Sequence, residues 1–156
     1  MKTPDIISKD ERTAVIALPC MCANLRRAAR VVTQVYDDAL RPSGLRASQF
    51  TLLQTLNLAP GISQKRLARL LEIDSTTLTR TLAFLRGKGW LKAEPGADRR
   101  ELRLSLTAAG LKEYRRGVPY WQSAQKRLRR DLGEANWDLL GNAVMRVAEL
   151  PSPEED

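Results

Sequence analysis

Leucines at positions 102, 104 and 106 alternate with Glu101, Arg103 and Ser105. Period-two alternation marks a strand with one buried face. A second short strand is predicted over Trp90–Glu94, and the two are joined by PGADRR, whose Pro95-Gly96 opening is a turn signal. An isolated two-stranded hairpin is marginal in water and needs another element to pack against. The chain on both sides of this hairpin carries helical spacing. The sequence therefore predicts a mainly α fold with a small β-hairpin wing.

The helices can be read individually. From Cys20 to about Leu40, apolar residues recur at Leu25, Ala28, Ala29, Val32, Val35, Tyr36 and Ala39, and Pro42, Ser43 and Gly44 end the run. A second helix follows Ser48, with Phe50, Leu52, Leu53 and Leu56, and stops near Pro60-Gly61. Ser63 caps a third, whose inner face is Leu67, Ala68, Leu70 and Leu71. After a break at Glu72–Asp74, a fourth helix buries Leu78, Leu82 and Leu85. Asp74 or Ser75 is its N-cap, and Gly87 and Gly89 end it. Beyond the hairpin, Thr107 opens a long helix that Pro119 should kink and Gly133 breaks. A last helix, from about Glu134 to Leu150, is apolar at Trp137, Leu140, Ala143, Val144 and Val147. The expected organisation is a flexible arm over 1–13, helical segments over 14–44 and 107–150 that frame a compact helix-and-hairpin unit over 45–106, and an acidic tail over 151–156.

Charge narrows the partner. The chain of 156 residues has a formal net charge of +8, unevenly spread. Residues 46–106 hold eleven basic and five acidic side chains, and residues 107–130 hold seven and one. Residues 131–156 reverse this, with one and seven. A basic middle with an acidic end suits a polyanion partner. Histidine is absent, which removes histidine-based triads and histidine metal sites. There is no Gly-rich phosphate loop and no acid-base signature, so neither an enzyme nor a cofactor is expected. The apolar stretch Ala14–Ala23 is too short to span a bilayer, and acids precede it where a secretory signal places positive charge. The chain is read as cytoplasmic, with no membrane partner.

Helix, helix, turn, helix and hairpin, in that order, make a winged helix-turn-helix. In such folds the second helix of the turn pair enters the major groove and presents its N-terminal residues to base edges. Here that segment holds Ser75, Thr76, Thr77, Thr79 and Arg80. Hydroxyls bond phosphates or bases, and arginine can bond guanine bidentately. Ser63, at the start of the supporting helix, joins this set. At the wing tip, Arg99 and Arg100 suit the narrow minor groove, and Asp98 is expected to hold Arg100 or Arg80 unless it is a plain turn residue. Cys20 and Cys22 lie two apart at a helix start. They are either small structural cysteines or a thiol or soft-metal switch.

The ordered set SQFTLLQTL and SQKRLARLLEIDSTTLTRTLAFLRGKGWLKAEPGADRRELRLSLTAAG resembles the MarR family of bacterial transcription regulators. Thr76–Arg80 matches the recognition-helix core, Asp98-Arg99-Arg100 the wing pattern, and Leu106-Thr107 with Gly110 the wing-to-helix junction. The resemblance covers roughly residues 20–150. It implies a homodimer built from the terminal helices, binding a pseudo-palindromic double-stranded operator and usually repressing. It also implies release by a small aromatic or phenolic inducer. By family position the inducer site falls near Arg26, Arg30, Tyr36 and the first turns of the Thr107 helix. Trp121, Trp137, Leu140 and Val144 are read as core or interface residues. The alternatives are a redox or soft-metal sensing repressor using Cys20 and Cys22, and a winged helix that docks protein.

Overall fold

The computed structural model describes residues 20–96 and 101–150. The elements run α1 (Met21–Leu40), a 3-10 turn (Arg41–Ser43), α2 (Ala47–Leu58), β1 (Ile62–Ser63), α3 (Gln64–Leu71) and α4 (Ser75–Gly87). They continue with β2 (Leu91–Pro95), β3 (Leu102–Leu106), α5 (Ala108–Leu132) and α6 (Glu134–Ala148). The fold is mainly helical with a small antiparallel sheet. That sheet has three strands in the order β1-β3-β2, one more than the hairpin alone. Ile62 faces Leu104 and Ser63 faces Arg103, so the stub before α3 closes the free edge of β3.

Caps set the helix starts. The Ser63 hydroxyl accepts from the Arg66 N–H at 3.3 Å, the Asp74 carboxylate from the Thr77 N–H at 2.8 Å, and the Thr107 hydroxyl from the Gly110 N–H at 3.0 Å. Helix α2 is capped from a distance. Asp37, on α1, accepts the Ala47 N–H at 2.7 Å and pairs with Arg46 at 3.5 Å. The chain turns at Gly44, in the left-handed region at φ 72°.

The core gathers under the sheet and around α2. Phe50, Leu53, Leu56, Leu67, Leu78, Leu85 and Leu104 are all essentially inaccessible. Phe50 stacks on Tyr114 and Trp121 of α5, with ring centroids 5.6 and 6.0 Å apart. Gly117 permits that approach, because a Cβ there would lie 2.7 Å from the Phe50 ring. Helix α5 runs unbroken through Pro119, which is exposed and inside the helix. Leu70, expected on the inner face of α3, is 61% exposed. Leu67 alone is fully buried there, with Ala68 and Leu71 packed beside it, so the helix is docked with that side inward and Leu70 falls outside the contact.

Helix α6 differs from the rest. Its main packing partner is α5, and none of its residues is buried. Leu139 is 69% and Met145 63% exposed, and Leu140 and Val144 are also open. Trp137 is half-buried beside the Arg129 guanidinium, 5.9 Å from its ring centre. These residues are therefore not core of the single chain.

Candidate nucleic-acid interface

Helix α4 follows α3 through a sharp turn at Glu72, in the left-handed region at φ 47°. Its inner stripe of Leu78, Leu82 and Leu85 is buried, which fixes the opposite face outward. Ser75, Thr76, Thr79, Arg80 and Ala83 line one open groove on that face, about 390 Å³ in volume. Four of the residues nominated for base contact therefore share one surface.

Thr77 stands apart. Hydrogen bonds from its side chain, and then from its N–H, hold the Asp74 carboxyl below its usual range. Thr77 thus serves the helix cap, and it does not line the groove. Ser63 also departs from expectation. It is 4% exposed and its hydroxyl is given to the α3 cap, so it presents no face to an outside partner. Asp98, Arg99 and Arg100 lie outside the described residues, as does the proposed hold of Asp98 on Arg100 or Arg80.

A larger groove, about 660 Å³, runs beside the first. Gln64, Lys65, Ala68 and Arg69 of α3, Ser75 and Leu78 of α4, and Glu101 at the wing base line it. Lysine and arginine here add two cations next to the hydroxyl face. Arg103 ties the wing base down, pairing with Glu101 at 2.9 Å and donating to the Gly61 carbonyl at 3.3 Å. The groove residues of α3 escape a reading based on the second helix alone. Their signal was the polar run Gln64-Lys65-Arg66 just after the predicted Ser63 cap.

Tyr36 lines a separate cavity of about 280 Å³ between α1, α2 and α5, with Val32, Leu40, Ala47, Phe50 and Trp121 among its walls. Burial pushes the Tyr36 phenol above its ordinary pKa, so it stays a neutral donor at physiological pH. Arg26 and Arg30 are exposed on α1 and do not line this cavity. Thr33, which also lines the cavity, lies seven residues beyond Arg26 and three beyond Arg30, so the arginines are set back along the helix toward its start. Cys20 and Cys22 are free and exposed.

An outward helix face carrying hydroxyls and an arginine, beside a basic groove and a short antiparallel sheet, defines a winged helix-turn-helix protein. Residues 45–102 match the profile of the MarR family. The M. tuberculosis transcriptional regulator MosR, solved in complex with DNA, is similar over 83% of this chain and 94% of its own, at 35% identity and TM-score 0.75. The transcriptional repressor CouR, solved on a 23-mer DNA duplex, is similar over 93% of this chain and all of its own, at 25% identity and TM-score 0.78. The HTH-type transcriptional regulator YwoH of Bacillus subtilis is 31% identical over 58% of this chain and 66% of its own length. The chain belongs to the MarR family of transcriptional regulators, and its role is regulatory rather than enzymatic. Among the described residues, no helix is long and apolar enough to cross a membrane.

Proposed function

We propose that this regulator binds a pseudo-palindromic double-stranded operator as a homodimer in the cytoplasm, represses, and is released by a small aromatic or phenolic ligand. One observation carries the DNA reading: Ser75, Thr76, Thr79 and Arg80 share an exposed groove on α4. Lys65 and Arg69, which line the neighbouring groove, are assigned to phosphates. The DNA-bound forms of MosR and CouR support the same assignment. Arg99 and Arg100 are assigned to the minor groove, and Asp98 to holding Arg100 or Arg80.

The open apolar face of α6 supports the dimer. Exposed leucine, valine and methionine on an element packed chiefly on α5 call for a cover, and a second copy supplies one. Two α4 helices must then sit about 34 Å apart to meet successive major grooves. A ligand that favours another spacing shifts the population away from DNA. The cavity at Tyr36 lies where α1 and α5 meet α2, and its volume suits a single aromatic ring. Arg26 and Arg30 are the nearby cations on α1 assigned to attract an acid to its entrance.

Binding to the DNA upstream of its own gene, measured at two salt concentrations, tests this. A log-linear loss of affinity with salt, and preference over random duplex, is the expected result. Affinity that ignores both salt and sequence refutes it. A second reading keeps Cys20 and Cys22 as a thiol or soft-metal switch. Cys20 is the N-cap of α1, with extended backbone at φ −87° and ψ 109°, so the two thiols are not forced to opposite sides of a helix. Double Cys→Ser substitution should then abolish any oxidant or metal response of DNA binding.

A further inference from the structure

We infer that Gln64, a residue of the supporting helix, sets which bases Thr79 can read by fixing the polarity of its hydroxyl. This rests on the DNA-binding reading above. The Gln64 side-chain amide donates to the Thr79 hydroxyl oxygen at 3.1 Å. A threonine hydroxyl has one proton and two lone pairs, and the proton rotates to suit its surroundings. The bond from Gln64 takes a lone pair and leaves the proton to be placed.

Other threonines of the fold turn that proton back onto their own helix. Thr55 donates to the Thr51 carbonyl and Thr81 to the Thr77 carbonyl. Thr79 instead lies exposed in the groove with Thr76 and Arg80. Its hydroxyl accepts from Gln64 on one of its two lone pairs, which leaves its proton and a single lone pair for the groove and tilts its balance toward donation. Base edges that accept in the major groove are purine N7, guanine O6 and thymine O4, whereas adenine N6 and cytosine N4 donate. The pair therefore favours acceptor edges at the position Thr79 meets.

Gln64 is well placed to impose this. It is half-buried and is the first residue of α3, directly after Ser63. Ser63 is at once the cap of α3 and the register partner of Arg103 in the wing strand. The backbone that carries the Gln64 side chain is thus fixed beside the sheet.

Base preference tests the inference directly. Duplexes are selected by the wild-type protein from a randomised pool, and affinities are then measured on every single-base-pair variant of the selected site. Gln64→Glu replaces the amide donor with a carboxylate acceptor, and Lys65 and Arg69 in the same groove accommodate its charge. The Thr79 proton then turns inward, and its lone pairs face the bases. At one position in each half-site, preference should move from acceptor to donor edges by at least ~5-fold, with other positions unchanged. In a Thr79→Val background the same Gln64→Glu change should move no preference. A uniform loss of affinity across all duplexes, or a preference shift that persists without the Thr79 hydroxyl, overturns the inference. A wild-type protein that selects no motif overturns the DNA-binding reading and this inference with it, and is distinguished from the other results by the wild-type selection alone.

Discussion

Gly110→Ala is expected to separate the wing from the long helix that follows it. A Cβ at Gly110 would sit 2.0 Å from the Trp90 carbonyl oxygen and 2.9 Å from its carbon. Both are backbone atoms, so no side chain can swing aside. The first turn of α5 must back away from the start of β2. That junction is held by the Thr107 N–H on the Trp90 carbonyl at 3.0 Å and the Thr107 hydroxyl on the Gly89 carbonyl at 2.6 Å. A retreat of ~1 Å takes the first of these beyond hydrogen-bonding distance and weakens the second. Overpacking costs about 1–3 kcal/mol, and each hydrogen bond about 0.5–1.5 kcal/mol, for a loss on the order of 4 kcal/mol. For a chain of this length that is a fall of about 10 °C in Tm. Thermal unfolding by circular dichroism, at matched protein concentration, measures it. Gly87→Ala is the control, since a Cβ there meets nothing within 4 Å. If Gly110→Ala melts within ~3 °C of the parent, the junction yields easily and the reasoning fails.

Other substitutions probe the remaining roles. Leu139→Asp with Met145→Asp charges the open face of α6 and should shift the protein from dimer to monomer in sedimentation, with operator affinity falling alongside. Arg80→Ala should relax base choice by about 1–3 kcal/mol at one position per half-site in binding to single-base-pair variants, whereas Lys65→Ala should weaken all duplexes alike and flatten the salt dependence. Asp74→Ala removes a carboxylate whose pKa is lowered in the folded chain by Thr77. Such a group stabilises above its unfolded pKa, and its contribution is lost as pH falls through the lowered value. The variant should therefore melt earlier than the parent at neutral pH, with the gap closing in strong acid.

Much of this architecture is legible in the residues because local rules and burial agree. Leu78, Leu82 and Leu85 recur at helical spacing, Asp74 is a good N-cap, and α4 appears where both point. What escapes does so for identifiable reasons. Strand β1 is two residues long, and its Ser63 doubles as a helix cap, so the cap signal hides the strand. Leu70 looks like core by spacing but projects outward, because tertiary placement and not period decides how wide a buried stripe is. Ser63 and Thr77 share the chemistry of a DNA-reading hydroxyl. Only the hydrogen bonds show that the Ser63 hydroxyl and the Thr77 N–H serve caps. Gln64 carries no pattern of its own, and its bond to Thr79 joins residues on two helices. The cavity at Tyr36 depends on three helices meeting, which periodicity along one of them cannot reveal.

Adjacent residues of α1 face different tasks. Tyr36 walls the cavity, while Asp37 holds the leading N–H of α2 and the Arg46 guanidinium. In a stiff helix neighbouring residues cannot move independently. Anything that rolls α1 enough to resize the space at Tyr36 also withdraws the carboxylate that anchors α2. The long rod of α1 and the first turn of α2 are thus geared together at one carboxyl group.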